Sequence, residues 1–315
     1  MQHNDRRRDH ADFRPDHIIE RRNDGGSPVP LLVFMQSMMP GAPRTKLKSM
    51  LKYNHVRLEG ATELRHDTPV EPGSAVRINL TRPFVTFSHS RMSLVYEDEY
   101  LLVVNKGYGL LSMGTASASR DETAYSVLRN YVKKVHPSNK VFIVHRLDRD
   151  TSGLMMFAKT EEAKNAMQHN WNNMVLERKY VAALEGVMEE DSGVVRSRLD
   201  ETSQFEVYST HDNTQGRLAV TRYKVLSRGH GYTLAEFSLD TGRKNQIRVH
   251  ASDLGHPIVG DRKYGASKSP IHRLALHART LRFVHPVTRQ VMNFELPVPS
   301  RFAGLVKYGD IRKNN

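Results

Sequence analysis

The sequence predicts an α+β fold with two domains. A small helix-helix-hairpin domain is followed by a larger one with an extended mixed, mainly antiparallel β-sheet flanked by helices. The chain has 315 residues, about twice the length of an average domain. After residue 93, nine segments have the apolar alternation or the short apolar runs of strands. Helical spacing is rarer there and does not alternate regularly with the strands, which disfavours a doubly wound parallel sheet.

The first element of the chain, residues 1–29, is predicted to be a disordered tail. Six arginines and six acidic residues fall within the first 30 positions, so the segment is polar, highly charged and neutral overall. Such a composition cannot bury enough apolar surface to fold. The net charge of +13 therefore belongs to the rest of the chain. That excess favours a polyanionic partner such as nucleic acid, although charge alone also fits an ordinary basic protein.

Residues 30–82 are predicted to form the small domain. An apolar stretch begins at Leu31, and a helix is predicted over 44–53, in which Leu47, Met50 and Leu51 have the spacing of one buried face. Alternating segments at 55–58 and 76–80 predict a pair of strands. The remaining surface of the second helix is basic and carries Arg44, Lys46, Lys48 and Lys52.

This order of elements, over the text TKLKSMLKYNHVRLEGATELRHDTPVEPGSAVRI, resembles the RNA-binding module of ribosomal protein S-four. In that module the basic second helix lies on phosphates, where charge neutralisation supplies most of the affinity. The resemblance implies that Arg44, Lys46, Lys48 and Lys52 bind RNA, although a lysine-rich helix face is also commonly just solvated. Residues 83–93 are predicted to be a linker.

The larger domain, residues 94–315, contains the strand-like segments. They are 94–96, 101–105, 141–145, 154–159, 180–187, 218–226, 232–239, 277–283 and 291–296. Helical spacing predicts helices over 124–135 and 160–171, the second with Thr160 as its N-cap. A short helix is predicted between Gly242 and Gly255.

Several classes of function are excluded by what the sequence lacks. It has no cysteine, which excludes disulfides, thiolate metal sites and a cysteine nucleophile. It has no glycine-rich phosphate loop of either common pattern, so nucleotide-cofactor chemistry has no support. No apolar run approaches the roughly 20 residues of a membrane span, and the start has no targeting pattern. We expect a cytoplasmic protein without a cofactor, a metal or a membrane partner.

Chemistry-bearing side chains concentrate in the loop 145–153, between two apolar strands. From the residues alone, three chemistries compete. His145, Asp148 and Asp150 could bind a metal, although neighbouring arginines oppose a cation. Asp148 and Asp150 could form the carboxylate pair of a glycosidase. Asp148 alone, kept ionised by an arginine, could act at an electrophilic carbon. A salt-bridged surface turn is the non-functional alternative.

The stretch VFIVHRLDRDTSGLMMFAKT resembles the central signature of the RluA family of pseudouridine synthases, HRLD followed after a short gap by TSGL. Three further blocks of that family recur in order, as YEDEYLLVVNKGYGLL, ERKYVAALEG and LDTGRKNQIRVHASDLGHPIVGDRKYG. Two departures occur. Gly107-Tyr108 stands where the family usually has Pro-Ala, and Lys244-Asn245 stands where it usually has Thr-His. Neither touches the acid or the arginines of the pattern.

The resemblance implies an enzyme that isomerises uridine to pseudouridine in ribosomal RNA, most often of the large subunit, or in transfer RNA. It implies Asp148 as the carboxylate that acts at C1′ of a flipped-out uridine, as a nucleophile or through a glycal. Arg248 is expected to pair with Asp148 and lower its pKa. Tyr180 is expected beside the base, although a strand tyrosine is also common in cores, and Arg146 is expected to fill the space that the base leaves. We expect a monomer whose partner is RNA. A non-catalytic RNA-binding or ribosome-assembly factor is the alternative.

Overall fold

The computed structural model describes residues 16–61, 64–114, 122–210, 212 and 214–310. The chain divides into two compact units, 1–86 and 87–315, and the division falls inside the predicted linker 83–93.

In its described residues, the first unit contains two helices and two small antiparallel sheets. Its elements are β1 (Ile18–Arg22), β2 (Val29–Pro30), α1 (Leu31–Met38), α2 (Arg44–Lys52), β3 (Val56–Leu58), β4 (Pro69–Val70) and β5 (Ala75–Asn79). The strand order is β1-β5-β3 in one sheet and β2-β4 in the other. The buried faces of α1 and α2 pack on β3 and β5 through a core that includes Leu31, Met35, Leu47 and Ile78. Both helices and the pair β3–β5 lie where the sequence predicts them.

The prediction that residues 1–29 form a disordered tail is wrong for the part that the structure describes; residues 1–15 lie outside the described residues. Strand β1 pairs with β5 over five residues, and Ile19 packs against the core. Glu20 forms an ion pair with Arg77 at 2.8 Å. An edge strand needs backbone partners and one apolar side, which a charged composition does not prevent. The charged composition of the whole segment therefore gave no indication of the strand.

The second unit carries the large sheet and most of the helices. Its strands are β6 (Met92–Glu97), β7 (Leu101–Lys106), β8 (Phe142–Ile143), β9 (Ser152–Ala158), β10 (Val175–Glu185), β11 (Ser192–Glu201), β12 (Val207–Thr210), β13 (Arg217–Gly229), β14 (Tyr232–Leu239), β15 (Leu276–Val284) and β16 (Val291–Glu295). Its helices are α3 (Ala124–Val135), α4 (Glu161–His169), α5 (Trp171–Met174), α6 (Gln246–Asp253) and α7 (Ser300–Tyr308), with a 3-10 turn at Arg262–Tyr264.

Within the described residues these strands form one mixed sheet in the order β12-β11-β13-β14-β10-β15-β9-β7-β6, with β16 on β15 and β8 on β9. Every pairing in it is antiparallel except that of β15 with β9. The predicted α+β class with a mainly antiparallel sheet is confirmed. Strands β11 and β12 and helix α7 were not predicted.

The parallel contact between β9 and β15 joins the two antiparallel parts of the sheet. It consists of two residue pairs, Ser152 with His277 and Gly153 with Ala278. Gly153 has φ +116°, and a Cβ atom at this position would collide with the backbone of Ala278. Only glycine allows the two backbones to approach so closely here. This requirement explains the glycine at the end of the polar loop.

The core of the second unit lies on both faces of the sheet. One cluster joins β10 and β14 to α6 and α7 through Phe237, Ile247 and Phe302, among others. A second joins β7, β9 and β15 to α4 through Leu101, Met156, Met167 and Phe283, among others. In the described part of the chain, no helix has the length and apolar character needed to cross a membrane.

Candidate active site

The loop between β8 and β9 carries Asp148, and its backbone is held from two sides. Ser112 Oγ donates a hydrogen bond to the Leu147 carbonyl at 2.6 Å and accepts one from the Leu147 amide at 3.1 Å. Leu147 itself is buried. The Thr151 amide closes the turn by donating to the Asp148 carbonyl at 3.2 Å. Asp148 is therefore presented by a fixed turn directly before a central strand.

Lys106, at the end of β7, is fully buried beneath this loop. Its ammonium donates to three carbonyl oxygens, those of Gly107 at 3.0 Å, Leu110 at 2.9 Å and Arg149 at 3.1 Å. Burial lowers the pKa of Lys106 to about 8, although the nearby carboxylates of Asp150 and Asp148 oppose that shift. The lysine joins two segments of the site and places a positive charge under Asp148.

His145 begins the polar loop, but its ring points into the protein. Its Nε2 accepts a hydrogen bond from the Met156 amide at 3.0 Å, and the ring lies 5.2 Å from that of Trp171, centroid to centroid. Burial lowers the pKa of His145 to about 3, so the ring is neutral. Across the residues that the structure describes, no group of three or more His, Asp or Glu side chains could hold a metal ion. His145 therefore supports the loop.

An open cavity of about 220 Å³ lies beside Asp148. It is walled by the loop 146–151, by β10 and by residues 239–248 before and within α6. Five of its side chains are cationic, namely Arg146, Arg178, Arg243, Lys244 and Arg248. Asp148 is the only acidic one among the lining residues. The cavity is thus a strongly positive site around a single carboxylate, and such a site attracts anions.

The carboxylate of Asp148 is half-buried and faces this cavity. Burial raises its pKa, and the surrounding cations, Arg248 first and then Arg146, Lys106 and Lys244, oppose that rise. Within the described residues, its oxygens accept no hydrogen bond and form no ion pair. A partly buried carboxylate that has positive charge around it but no direct partner keeps its lone pairs free to act on a bound molecule.

The expected pairing of Arg248 with Asp148 is wrong in its geometry. The Arg248 guanidinium binds Asp261 in a bidentate ion pair, with Nε at 2.7 Å and Nη2 at 2.6 Å from its two carboxylate oxygens. Its Nη1 donates to Asn245 Oδ1 at 3.1 Å. Asp261 is fully buried, so it competes well for the guanidinium. Arg248 acts on Asp148 through space, and the expected lowering of the Asp148 pKa does not outweigh burial.

Tyr180 and Arg146 lie where the sequence places them, on the wall of the cavity. Tyr180 belongs to β10, opposite Phe237 of β14, and a bulge in the pairing with β15 falls between Lys179 and Tyr180. Bulges re-aim side chains next to active sites. Arg146 is exposed and, in the described part of the chain, forms no ion pair with Asp148 or Asp150. The structure thus brings Asp148, Tyr180, Arg248 and Arg146 together around one cavity.

The start of α6 shapes the opposite wall. Asn245 has φ +53° and is buried, and its side chain donates to the Tyr264 hydroxyl at 2.9 Å while accepting from Arg248. Asparagine tolerates the left-handed conformation better than most residues. At Gly242, a Cβ atom would lie 2.8 Å from Arg178 Nη1. The departure Lys244-Asn245 from the family pattern therefore lies on the cavity wall itself, whereas Tyr108 lies under the guanidinium of Arg273 at 4.6 Å.

Sequence reasoning missed several residues that build the site, namely Lys106, Ser112, Arg178, Lys244 and Asp261. Lys106, Arg178, Lys244 and Asp261 each fall within one of the four family blocks, and this position was the signal that could have identified them. The buried partner of Arg248 could not be deduced from spacing, because it depends on how the chain after α6 turns back. The four basic residues of the first unit, Arg44, Lys46, Lys48 and Lys52, lie exposed on α2.

Comparison with known proteins places this arrangement among enzymes that act on RNA. Residues 100–253 match the model of the family described as RNA pseudouridylate synthase. An uncharacterized RNA pseudouridine synthase of Bacillus subtilis (strain 168), YlyB, is 33% identical over 290 residues, which cover 89% of this chain and 93% of that protein. The ribosomal large subunit pseudouridine synthase D of Xylella fastidiosa is 31% identical, with 93% and 90% covered.

Solved structures give the same result. The human RNA pseudouridylate synthase domain containing 4 superposes with a TM-score of 0.55 at 27% identity, over 67% of this chain and 90% of that one. The human RNA pseudouridylate synthase domain containing 1 gives 0.53 at 25% identity, over 65% and 83%.

Proposed function

Because this chain belongs to the RNA pseudouridylate synthase family, we propose that it converts specific uridines of large-subunit ribosomal RNA to pseudouridine, with Asp148 as its catalytic carboxylate. The observation that carries the proposal is a lone carboxylate in a cavity lined by five cations, with Tyr180 on the wall. The cations attract a polyanion, and the carboxylate supplies the reacting group. The relatives named for the large ribosomal subunit support ribosomal RNA as the substrate.

The reaction is an isomerisation: the same uracil leaves C1′ of the ribose through N1 and rejoins it through C5. The N1–C1′ bond of uridine breaks, C5 bonds to C1′, the proton on C5 leaves, and N1 gains a proton. Asp148 acts at C1′, and Arg248 and Lys106 keep positive charge near it while it does so. Tyr180 lies beside the base, where stacking offsets much of the few kcal/mol needed to flip the uridine out of its stack. Arg146, exposed at the mouth, fills the space that the base leaves.

Mapping pseudouridine in cells with and without this protein tests the proposal. We expect at least one position in large-subunit ribosomal RNA to lose its pseudouridine when the protein is absent, and to regain it when the wild-type chain is restored. A complete map that is unchanged across ribosomal and transfer RNA would refute the proposal. If pseudouridine were lost only at positions in transfer RNA, the substrate would be transfer RNA and not ribosomal RNA.

Two other functions make different predictions. A glycosidase that used Asp148 and Asp150 as its acid pair would release free uracil, which chromatography of the reaction detects; we expect none, because Asp150 is exposed and does not line the cavity. A non-catalytic RNA-binding factor would have no need of the constellation of Asp148, Tyr180 and Arg248 around one cavity.

We also assign RNA binding to the first unit, as a module like that of ribosomal protein S-four. The support is the exposed basic face of α2, which carries Arg44, Lys46, Lys48 and Lys52, above a buried face with Leu47 and Met50. The cytoplasm is the compartment that suits a substrate in ribosomal RNA, and we assign the chain to it as a monomer.

Replacing Lys46, Lys48 and Lys52 together by Gln is expected to weaken RNA binding and to flatten its dependence on salt. The slope of log K against log salt is negative, and each phosphate contact that is lost reduces its magnitude by about 0.7 to 0.9. Filter binding of a ribosomal RNA fragment at several salt concentrations measures that slope. The matched control replaces three exposed lysines of the second unit, Lys133, Lys134 and Lys140, which changes the charge equally. Equal slopes for the two triple variants would contradict the assignment.

A further inference from the structure

A second cavity adjoins the first and is used by none of the steps above. It has a volume of about 530 Å³ and is lined by Gly242, Arg243 and Lys244, which also line the first cavity, together with residues of β11, β12 and β13. Its charged lining residues are Arg217, Arg243, Lys244, Asp200 and Glu201. We call it the flanking cavity. An RNA strand that enters the Asp148 cavity beside Lys244 would therefore also pass along the flanking cavity.

Phe205 lies in the hairpin turn that joins β11 to β12, beside Lys244, a residue of the flanking cavity. The residue is 72% exposed, the highest value for any large apolar residue that the structure describes. Its φ is +63°, a conformation that is unfavourable for an aromatic residue. An exposed ring on an unfavourable backbone contributes little to folding, so packing does not account for it.

The backbone of Phe205 nevertheless has hydrogen-bond partners. Its amide donates to the Thr202 carbonyl at 2.9 Å. Its own carbonyl oxygen accepts from Lys244 Nζ at 3.4 Å and from Lys263 Nζ at 3.3 Å. Lys244 Nζ also lies 5.4 Å from the centroid of the Phe205 ring and forms an ion pair with Glu201. The hairpin tip is thus fixed to the residue that lines both cavities, and the ring remains exposed to solvent.

We propose that Phe205 is a stacking platform for an unpaired RNA base next to the target uridine, an inference that rests on the proposed function. An aromatic ring beside cations is the combination by which proteins bind single-stranded nucleic acid, with stacking for the base and positive charge for the phosphates. Lys244 and Lys263 supply that charge beside Phe205, and Arg217 and Arg243 add to it along the flanking cavity. Asp200 and Glu201 reduce it, and Glu201 is already engaged by Lys244.

The platform explains why the ring is held away from the core. Recognition of RNA relies on unstacked bases that lie on aromatic side chains. A nucleotide next to a flipped uridine has lost one stacking neighbour, and Phe205 offers a replacement surface. Because every base has a π-face, the platform is sequence-tolerant and fixes the position of the strand rather than the identity of the base.

Fluorescence of a base analogue tests the proposal directly with the full chain. The probes are single-stranded RNAs of about 12 nucleotides, each with one central uridine and with 2-aminopurine on its 5′ or its 3′ side. Stacking on an aromatic ring quenches this base. The variants are Phe205→Ala, the conservative Phe205→Tyr, and Tyr308→Ala. Tyr308 is a matched control, because it is 65% exposed and has the ammonium of Lys307 4.9 Å from its ring. Lys307 lines neither cavity, whereas Lys244 beside Phe205 lines both.

We expect the wild-type chain to quench at least one of the two probes. Phe205→Ala should lose that quenching and bind about 5- to 100-fold more weakly. Phe205→Tyr and Tyr308→Ala should behave like the wild type. Unchanged quenching and affinity in Phe205→Ala, an equal loss in Tyr308→Ala, or no quenching by the wild type overturns the inference.

The readout separates this inference from the proposed function. A chain that restores pseudouridine in cells but shows no quenching that depends on Phe205 refutes the platform alone. A chain that quenches through Phe205 but leaves the pseudouridine map unchanged refutes the proposed reaction and keeps the platform as a feature of RNA binding.

Discussion

Replacing Asp148 by Asn is expected to abolish pseudouridine formation, with a loss of at least about 10⁴-fold in rate, as when other enzymes lose a reacting group. Affinity for RNA should stay within a few-fold, because the five cations of the cavity remain. Single-turnover conversion of ribosomal RNA fragments measures the rate, and filter binding measures the affinity. A variant that still formed the product would refute the assignment of Asp148.

The matched control for this change is Asp150→Asn, in the same loop but exposed and outside the cavity lining. It should keep its activity within a few-fold. Thermal unfolding at neutral pH provides a second control. Burial raises the pKa of Asp148 in the folded state above its value in the unfolded state. The free energy of unfolding therefore falls as the pH rises from the unfolded-state pKa through the folded-state pKa, and this cost is present at neutral pH. The neutral amide lacks this cost, and Asp148→Asn should melt at a higher temperature than the wild type.

Replacing Arg248 by Met is expected to cost both activity and stability. The activity should fall by roughly 10²- to 10³-fold, the usual effect of removing one preorganised electrostatic group. Among the cations that oppose the rise in the pKa of Asp148, Arg248 has the largest effect. Its loss should therefore move the acid side of the pH profile of kcat/KM to higher pH. The buried carboxylate of Asp261 would lose its partner, at a cost of about 3–5 kcal/mol in the free energy of unfolding.

The double variant Arg248→Met with Asp261→Asn separates the two effects. It removes the buried charge together with its partner, so stability against denaturant should recover while the pH profile stays shifted. Asp261→Asn alone keeps the Arg248 charge and should leave the acid limb near that of the wild type. A double variant whose pH profile superimposes on the wild-type profile would exclude any electrostatic action of Arg248 on Asp148.

Elements with a strong local pattern could be predicted from the sequence. Helix α3 begins and ends where the apolar spacing places it, and Thr123 and Ser126 close a capping box at its start. Strand β11 could not be predicted in this way, because its central residues are only partly buried and its text, SGVVRSRLDE, has few apolar side chains. Its place is set by thirteen-residue β13 beside it, and pairing of this kind is a tertiary effect. Strand β1 was missed for the same reason.

For the site, the motif identified which residues meet, and the fold decided how they meet. Asp148, Arg146 and Tyr180 were assigned by position in the family blocks, and all three line the cavity. The partner of Arg248 is Asp261, which lies thirteen residues further along the chain and is buried by the turn that follows α6. No periodicity encodes that choice, because two carboxylates compete for one guanidinium in three dimensions.

The two-residue parallel contact between β9 and β15 has a mechanical consequence. It is the only strand pairing in the described sheet that connects the part bearing Tyr180 to the part that continues from the Asp148 loop. Any movement of one half of the sheet against the other therefore takes place within a few residues of Asp148. Amide hydrogen exchange at Ser152 and Gly153 would thus report transient separation of the two halves of the sheet. A ligand that contacts both halves would slow that exchange.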